Sequence, residues 1–195
     1  MRLLSVASVL LLASTLRAEA PPAPRRAPEL VLQYADGKSE LLSAYRGSVV
    51  MIEFLHTTCP HCQNAAREFS KLNMEFGAKG FKPLGVAWNE MSKMLVPDFI
   101  KLYGVNYPIA YEGRDKVLDF LGYSVMQRVV VPQIVWIDRK GMIRSQTPAD
   151  STGGEEMRQE PYWREMIVKL TGETDGAGKK AAVVIKKAAV AHAAK

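Results

Sequence analysis

Residues 48–55 read Ser-Val-Val-Met-Ile-Glu-Phe-Leu, a nearly unbroken apolar, β-branched run that predicts a strand buried on both faces. The period then changes. Ala65, Ala66, Phe69, Leu72 and Phe76 recur at helical spacing and stop at Gly77 and Gly80. The same alternation continues downstream. Residues 81–88 predict a second buried strand, and residues 94–103 a helix with Pro97 near its first turn and Gly104 past its end. Residues 107–111 predict a short strand and residues 115–121 a helix closed by Gly122. Residues 129–137 form a strand-like run interrupted by Pro132, turned at residues 138–141 into a hairpin partner at 142–144. Residues 161–170 close the pattern as a helix, with Gly172 as its stop. A short strand at residues 30–32 and one helical turn at 41–45 precede it all. Alternation followed by a hairpin predicts an α/β domain, a mixed central sheet with helices on both faces.

Composition changes this picture only at the ends. The chain has 195 residues, 48% apolar and 24% charged, which suits one globular domain with appendages. Met1-Arg2, an apolar run from Leu3 to Ala13, and small residues at Ala18 and Ala20 have the layout of an export leader. The run is shorter than the roughly 20 residues that a membrane span needs. Residues 1–18 are therefore expected to be a cleaved signal peptide, and the protein to work in the periplasm or cell envelope. Residues 19–28 are proline-rich and read as an extended linker. The expected domain is 29–172, and 173–195 is a Lys/Ala-rich flexible tail.

The formal net charge of +6 is concentrated at the two ends. Arg2 and Arg17 lie in the leader, and Lys179, Lys180, Lys186, Lys187 and Lys195 in the tail, leaving a nearly neutral body. The basic balance thus argues against nucleic-acid binding by the folded domain. Tail contact with an anionic surface is the weaker alternative to a solvated tail.

There are two cysteines, in the tetrapeptide Cys59-Pro60-His61-Cys62, between the first buried strand and its helix. A bridge closing so short a loop removes little chain entropy, so chemistry explains the pair better than stability does. A helix N-terminus offers unpaired N–H groups and partial positive charge, both of which favour a thiolate. Cys59 at that end is expected to be the exposed nucleophile, and Cys62, one turn in, the buried resolving thiol. His61, lying between them, is placed to depress the Cys59 pKa further. A zinc site needs four converging ligands, and there is no second cysteine pair. Covalent haem needs a histidine after the second cysteine, where Gln63 stands. No metal and no cofactor beyond the Cys59–Cys62 disulfide itself is expected.

Two further residues carry a signal. Glu53 is a carboxylate inside the apolar strand, six residues before Cys59. Burial would raise its pKa and let it relay a proton to or from Cys62; the alternative is an edge-strand glutamate facing water. Pro132 breaks a strand-like run. A cis peptide there would expose the Val131 backbone for pairing with a substrate chain beside the dithiol; the alternative is a trans proline at a strand start. His56 is read either as tuning the thiolate or as a surface loop residue, and Trp88 as core.

Together these residues resemble the thioredoxin superfamily, over roughly residues 29–172. The layout, with Val-Pro-Gln-Ile-Val-Trp-Ile-Asp-Arg-Lys-Gly-Met-Ile before the last helix, is similar to the TlpA/ResA-like branch. The resemblance implies one site made of Glu53, Cys59, Cys62 and Pro132, with Pro60 and Val131 beside it. Cys-Pro-His-Cys, Glu53 and Val131 are instead similar to DsbA, although the chain has no room for DsbA's helical insertion. The frame implies a thiol reductant, as in cytochrome c maturation, and the site implies an oxidant. The site is given more weight, so the expectation is an enzyme exchanging disulfides with protein thiols, served by a membrane redox partner. The neighbouring peroxiredoxin motif has threonine three residues before its cysteine and proline four earlier; His56 and Ile52 stand there instead, which argues against peroxidase activity. A non-catalytic binding module is the remaining alternative.

Overall fold

The computed structural model describes residues 21–151 and 153–172. Eight strands form one sheet: β1 (Arg25–Arg26), β2 (Val31–Gln33), β3 (Ser39–Leu41), β4 (Val49–Leu55), β5 (Phe81–Ala87), β6 (Ile109–Tyr111), β7 (Gln133–Ile137) and β8 (Met142–Gln146). Their spatial order is β1-β8-β7-β4-β5-β6-β2-β3. β4, β5 and β6 run parallel, and the outer pairs are antiparallel. Four helices cover the sheet: α1 (Pro60–Phe76), α2 (Ser92–Tyr103), α3 (Arg114–Leu121) and α4 (Glu160–Gly172).

Strand parity decides what faces what. Successive side chains of β4 point to opposite faces. Val49, Met51 and Leu55 pack with Phe69 and Leu72 of α1, Phe99 of α2 and Trp163 and Ile167 of α4. Val50, Ile52 and Phe54 pack with Val117 and Leu121 of α3 on the other face. Every β4 residue is buried, Glu53 included, because β5 and β7 flank it on both sides. Glu53 shares the parity of Met51 and Leu55 and therefore lies on the α1 face. Gly85 of β5 sits close to its neighbours: a Cβ there would lie 2.2 Å from Ile109 Cδ1, so that side chain would have to shift.

Four expectations are corrected. Residues read as a linker are part of the sheet: Arg25 and Arg26 pair with Ile143 and Met142, and Ala27 N–H donates to Gly141 O at 3.0 Å. The proline content masked this because the strand is only two residues long. The domain thus begins before residue 29. β3 was not foreseen; it pairs with β2 across the Asp36-Gly37 turn. The run at residues 129–137 is a strand only from Gln133, because Pro132 has no N–H to give the ladder and Val130 N–H bonds Ala149 O outside it. Pro97 also lies deeper in its helix than expected, since α2 starts at Ser92. The proposed leader and the basic tail lie outside the described residues.

Candidate active site

The site lies at the C-terminal end of β4, where the chain turns into α1. Cys59 is the residue that precedes the helix, with extended backbone (φ −86°, ψ 121°), and Pro60 opens the first turn. Proline suits that position, where its missing N–H has no helical partner to lose. The turn is fixed by Cys59 N–H donating to His56 O at 3.1 Å and Gln63 N–H to Cys59 O at 3.0 Å. Asn89, after β5, ties the loop down from the side: its Oδ1 accepts from Thr57 N–H at 2.9 Å.

Both cysteines are free thiols, Cys59 half-buried and Cys62 fully buried. Their environments pull them apart. The Cys59 pKa is lowered to about 5, first by a hydrogen bond from the Cys62 thiol, then by the Cys62 and His61 backbone N–H groups and by His61's charge, all against the opposing effect of burial. Cys62 is pushed far up by the same thiol hydrogen bond and by burial, and an ionised Glu53 would add to this. At neutral pH one sulfur is an accessible thiolate and the other a buried thiol.

Glu53 lies beneath this pair, fully buried. Burial raises its pKa well above the usual carboxylate value, and only a long hydrogen bond from Tyr107 Oη (3.4 Å to Oε2) opposes this. Its Oε1 has no hydrogen-bond partner among the described residues. A carboxylate so poorly solvated holds its proton. Tyr107 is also buried, and its own pKa is raised by burial and by Glu53. Tyr107 stands at the start of the short strand that the sequence predicts at 107–111, and nothing local distinguishes it, because its partner lies 54 residues away.

The Val131–Pro132 peptide is cis, and the Val131 carbonyl lies 3.9 Å from Cys59 Sγ. A groove of about 680 Å³ runs alongside, lined by His61, Ala65, Val131, Pro132, Arg158 and Trp163 among others. Cys59, Pro60, His61, Cys62, Glu53, Val131 and Pro132 are thus gathered at one place. His56 sits at the edge of the site: its ring meets Trp88 edge-on at 4.6 Å, and burial lowers its pKa.

The AhpC/TSA family model matches residues 24–146. Among curated proteins, the thiol-disulfide oxidoreductase ResA of Bacillus subtilis is 33% identical over 93 residues, 48% of this chain and 51% of that protein. The ResA of Geobacillus thermodenitrificans is 28% identical over 118 residues, 60% of this chain and 64% of that protein. The chain therefore spans less than two thirds of the length of these curated relatives. Among solved structures, the thiol:disulfide interchange protein, a thioredoxin family protein, of Chlorobium tepidum superposes with a TM-score of 0.63 at 21% identity, covering 78% of this chain and 99% of that one. The fold is thioredoxin-like.

Proposed function

The chain belongs to the AhpC/TSA family of the thioredoxin superfamily, and from that premise we propose that it is a thiol–disulfide oxidoreductase acting on the cysteines of other proteins. The observation that carries this is the asymmetry of the dithiol: a half-exposed Cys59 held as thiolate above a buried, protonated Cys62. In the oxidising direction, a substrate thiolate attacks Cys59 Sγ of the Cys59–Cys62 disulfide. The S–S bond breaks, and Cys62 leaves with the electron pair and takes a proton, which Glu53 is placed to supply. A second substrate thiol then attacks the mixed disulfide. The second thiol gives its proton to solvent, Cys59 leaves as a thiolate, and the substrate is left with a disulfide, two electrons poorer, those electrons now held by the reduced Cys59 and Cys62. The reducing direction is the same path reversed.

The depressed Cys59 pKa favours oxidation, since a stabilised thiolate stabilises the reduced form and makes the disulfide the stronger oxidant. The ResA-like frame favours reduction. The deciding measurement is a redox titration against glutathione, with Cys59 alkylation followed across pH. The expected alkylation midpoint is about 5, with a potential above thioredoxin's value of about −270 mV. A potential at or below that value assigns the protein to the reductants. Family membership does not make it a peroxidase in this reading, because His56 and Ile52 stand where the peroxidatic motif requires threonine and proline.

The same proposal places the protein outside the cytoplasm, with residues 1–18 as a cleaved leader and a membrane redox partner that resets the dithiol. N-terminal sequencing of the mature protein is expected to begin near Glu19; a mature chain beginning at Met1 excludes the leader.

A further inference from the structure

Two polar side chains outside the dithiol converge on the loop that faces it. Gln133 follows Pro132 and is fully buried, yet its side chain turns back and its Nε2 donates to Val130 O at 2.8 Å and to Pro148 O at 2.9 Å. Its Oε1 accepts from Thr147 Oγ1 at 3.0 Å, and that hydroxyl accepts from Ile134 N–H at 3.0 Å. Arg158 reaches the same place from the turn before α4. Its Nη2 donates to Pro148 O at 2.8 Å, its Nη1 to Gly154 O at 3.3 Å, and its Nε to Pro132 O at 3.4 Å. Val130 N–H bonds Ala149 O at 2.8 Å. Val130 is thereby satisfied at both main-chain groups, and the Pro132 carbonyl is taken. Val131, between them, turns its carbonyl to within 3.9 Å of Cys59 Sγ.

A guanidinium has five N–H donors in a rigid fork. Spending three of its nitrogens on carbonyls of separate segments locks those segments together, as no ion pair with one carboxylate would. Outside the ladder, the loop has one backbone hydrogen bond, Val130 N–H to Ala149 O, and these side-chain bonds add to it.

We propose that Arg158 and Gln133 are positioning residues that hold the Val131–Pro132 loop in register with Cys59, so that a polypeptide substrate aligns its backbone on Val131 while its disulfide is exchanged. This rests on the exchange activity proposed above and adds a discrimination between polypeptide and small disulfides.

The test uses the full chain and two substrates with the same reacting bond. One is a synthetic extended peptide whose single cysteine is glutathionylated; the other is glutathione disulfide, which offers no strand. In Arg158→Met and in Gln133→Met the ratio of kcat/KM for the peptide to that for glutathione disulfide is expected to fall roughly tenfold, through KM rather than kcat. Arg158→Lys, which keeps the charge but reaches fewer carbonyls, is expected in between. The pH midpoint of Cys59 alkylation should stay in place, because α1 and Cys62 set it. A ratio unchanged in folded variants, or both substrates slowing in parallel, overturns the assignment. If Arg158→Met does not fold, Arg158→Lys and Gln133→Met decide by the same ratio. A wild-type chain that turns over neither disulfide instead defeats the exchange activity itself, a result read before any variant is made.

Discussion

Cys59→Ser is expected to abolish exchange, by at least about a thousandfold, while Cys62→Ser traps substrates as mixed disulfides. The difference follows from where the two sulfurs sit. Cys59 is the half-exposed one, and its pKa near 5 leaves it almost wholly ionised at neutral pH. A serine hydroxyl there cannot ionise or form a disulfide, so no first step remains. Cys62 is fully buried and cannot meet a protein substrate. Its loss spares the attack at Cys59 and removes only the resolving step. Mass spectrometry after incubation with disulfide-bonded protein should show adducts on Cys62→Ser and none on Cys59→Ser; adducts on both would remove Cys59 as the nucleophile.

The same thiolate leaves a signature in stability. The Cys59 pKa in the folded, reduced protein lies below the ordinary thiol value of 9.0. A depressed pKa contributes stability that is complete above the unfolded-state value and lost as pH falls through the folded one. Reduced wild type should therefore gain on Cys59→Ser in thermal melts as pH rises from about 5 to about 9. The raised pKa of Cys62 acts only above that window.

What the sequence disclosed and what it hid divide along a physical line. Its local patterns were readable: the apolar run that became β4, the helical period that became α1, and the cysteine pair at their junction. Glu53 was readable too, since a single carboxylate in so apolar a run is conspicuous, and the parity of β4 then puts it beneath Cys62. What stayed hidden depends on contacts between distant residues. Tyr107 meets Glu53 across 54 residues, and Arg158 meets Pro132 across 26. Neither leaves a mark on its own neighbourhood. Arg25 and Arg26 join the sheet through two residue pairs with β8, in a stretch whose prolines read as linker. The extent of the cis-proline loop has a mixed origin: Val129, Val130 and Val131 have strand propensity, Pro132 ends the ladder locally, and the partners of Val130, the Ala149 carbonyl and the Gln133 side chain, are not visible in the local pattern.

Glu53→Gln is expected to slow exchange while stabilising the fold, and the two effects have one cause. Glutamine keeps the shape, and its carbonyl oxygen can still accept from Tyr107 Oη, so the packing of β4 is preserved. The proton is lost. Without it, Cys62 must leave or attack with no group beneath it to supply or take the proton, a role generally worth about 10²–10⁴ in rate. For stability the sign is set by the raised pKa of Glu53. A group whose folded pKa lies above its unfolded value contributes stability that is complete below the unfolded value, here 4.5, and lost as pH rises through the folded one. The wild type therefore carries a growing penalty towards alkaline pH, and glutamine, which does not titrate, carries none. Melts of the two proteins should converge near pH 4 and separate progressively as pH rises above it, with glutamine the more stable. Exchange followed over the same range should show the variant losing the pH-dependent limb that belongs to Glu53. Equal rates and parallel melting curves would mean that Glu53 neither relays a proton nor bears the cost of burial. A faster enzyme with unchanged stability would mean that its charge merely opposes the thiolate at Cys59.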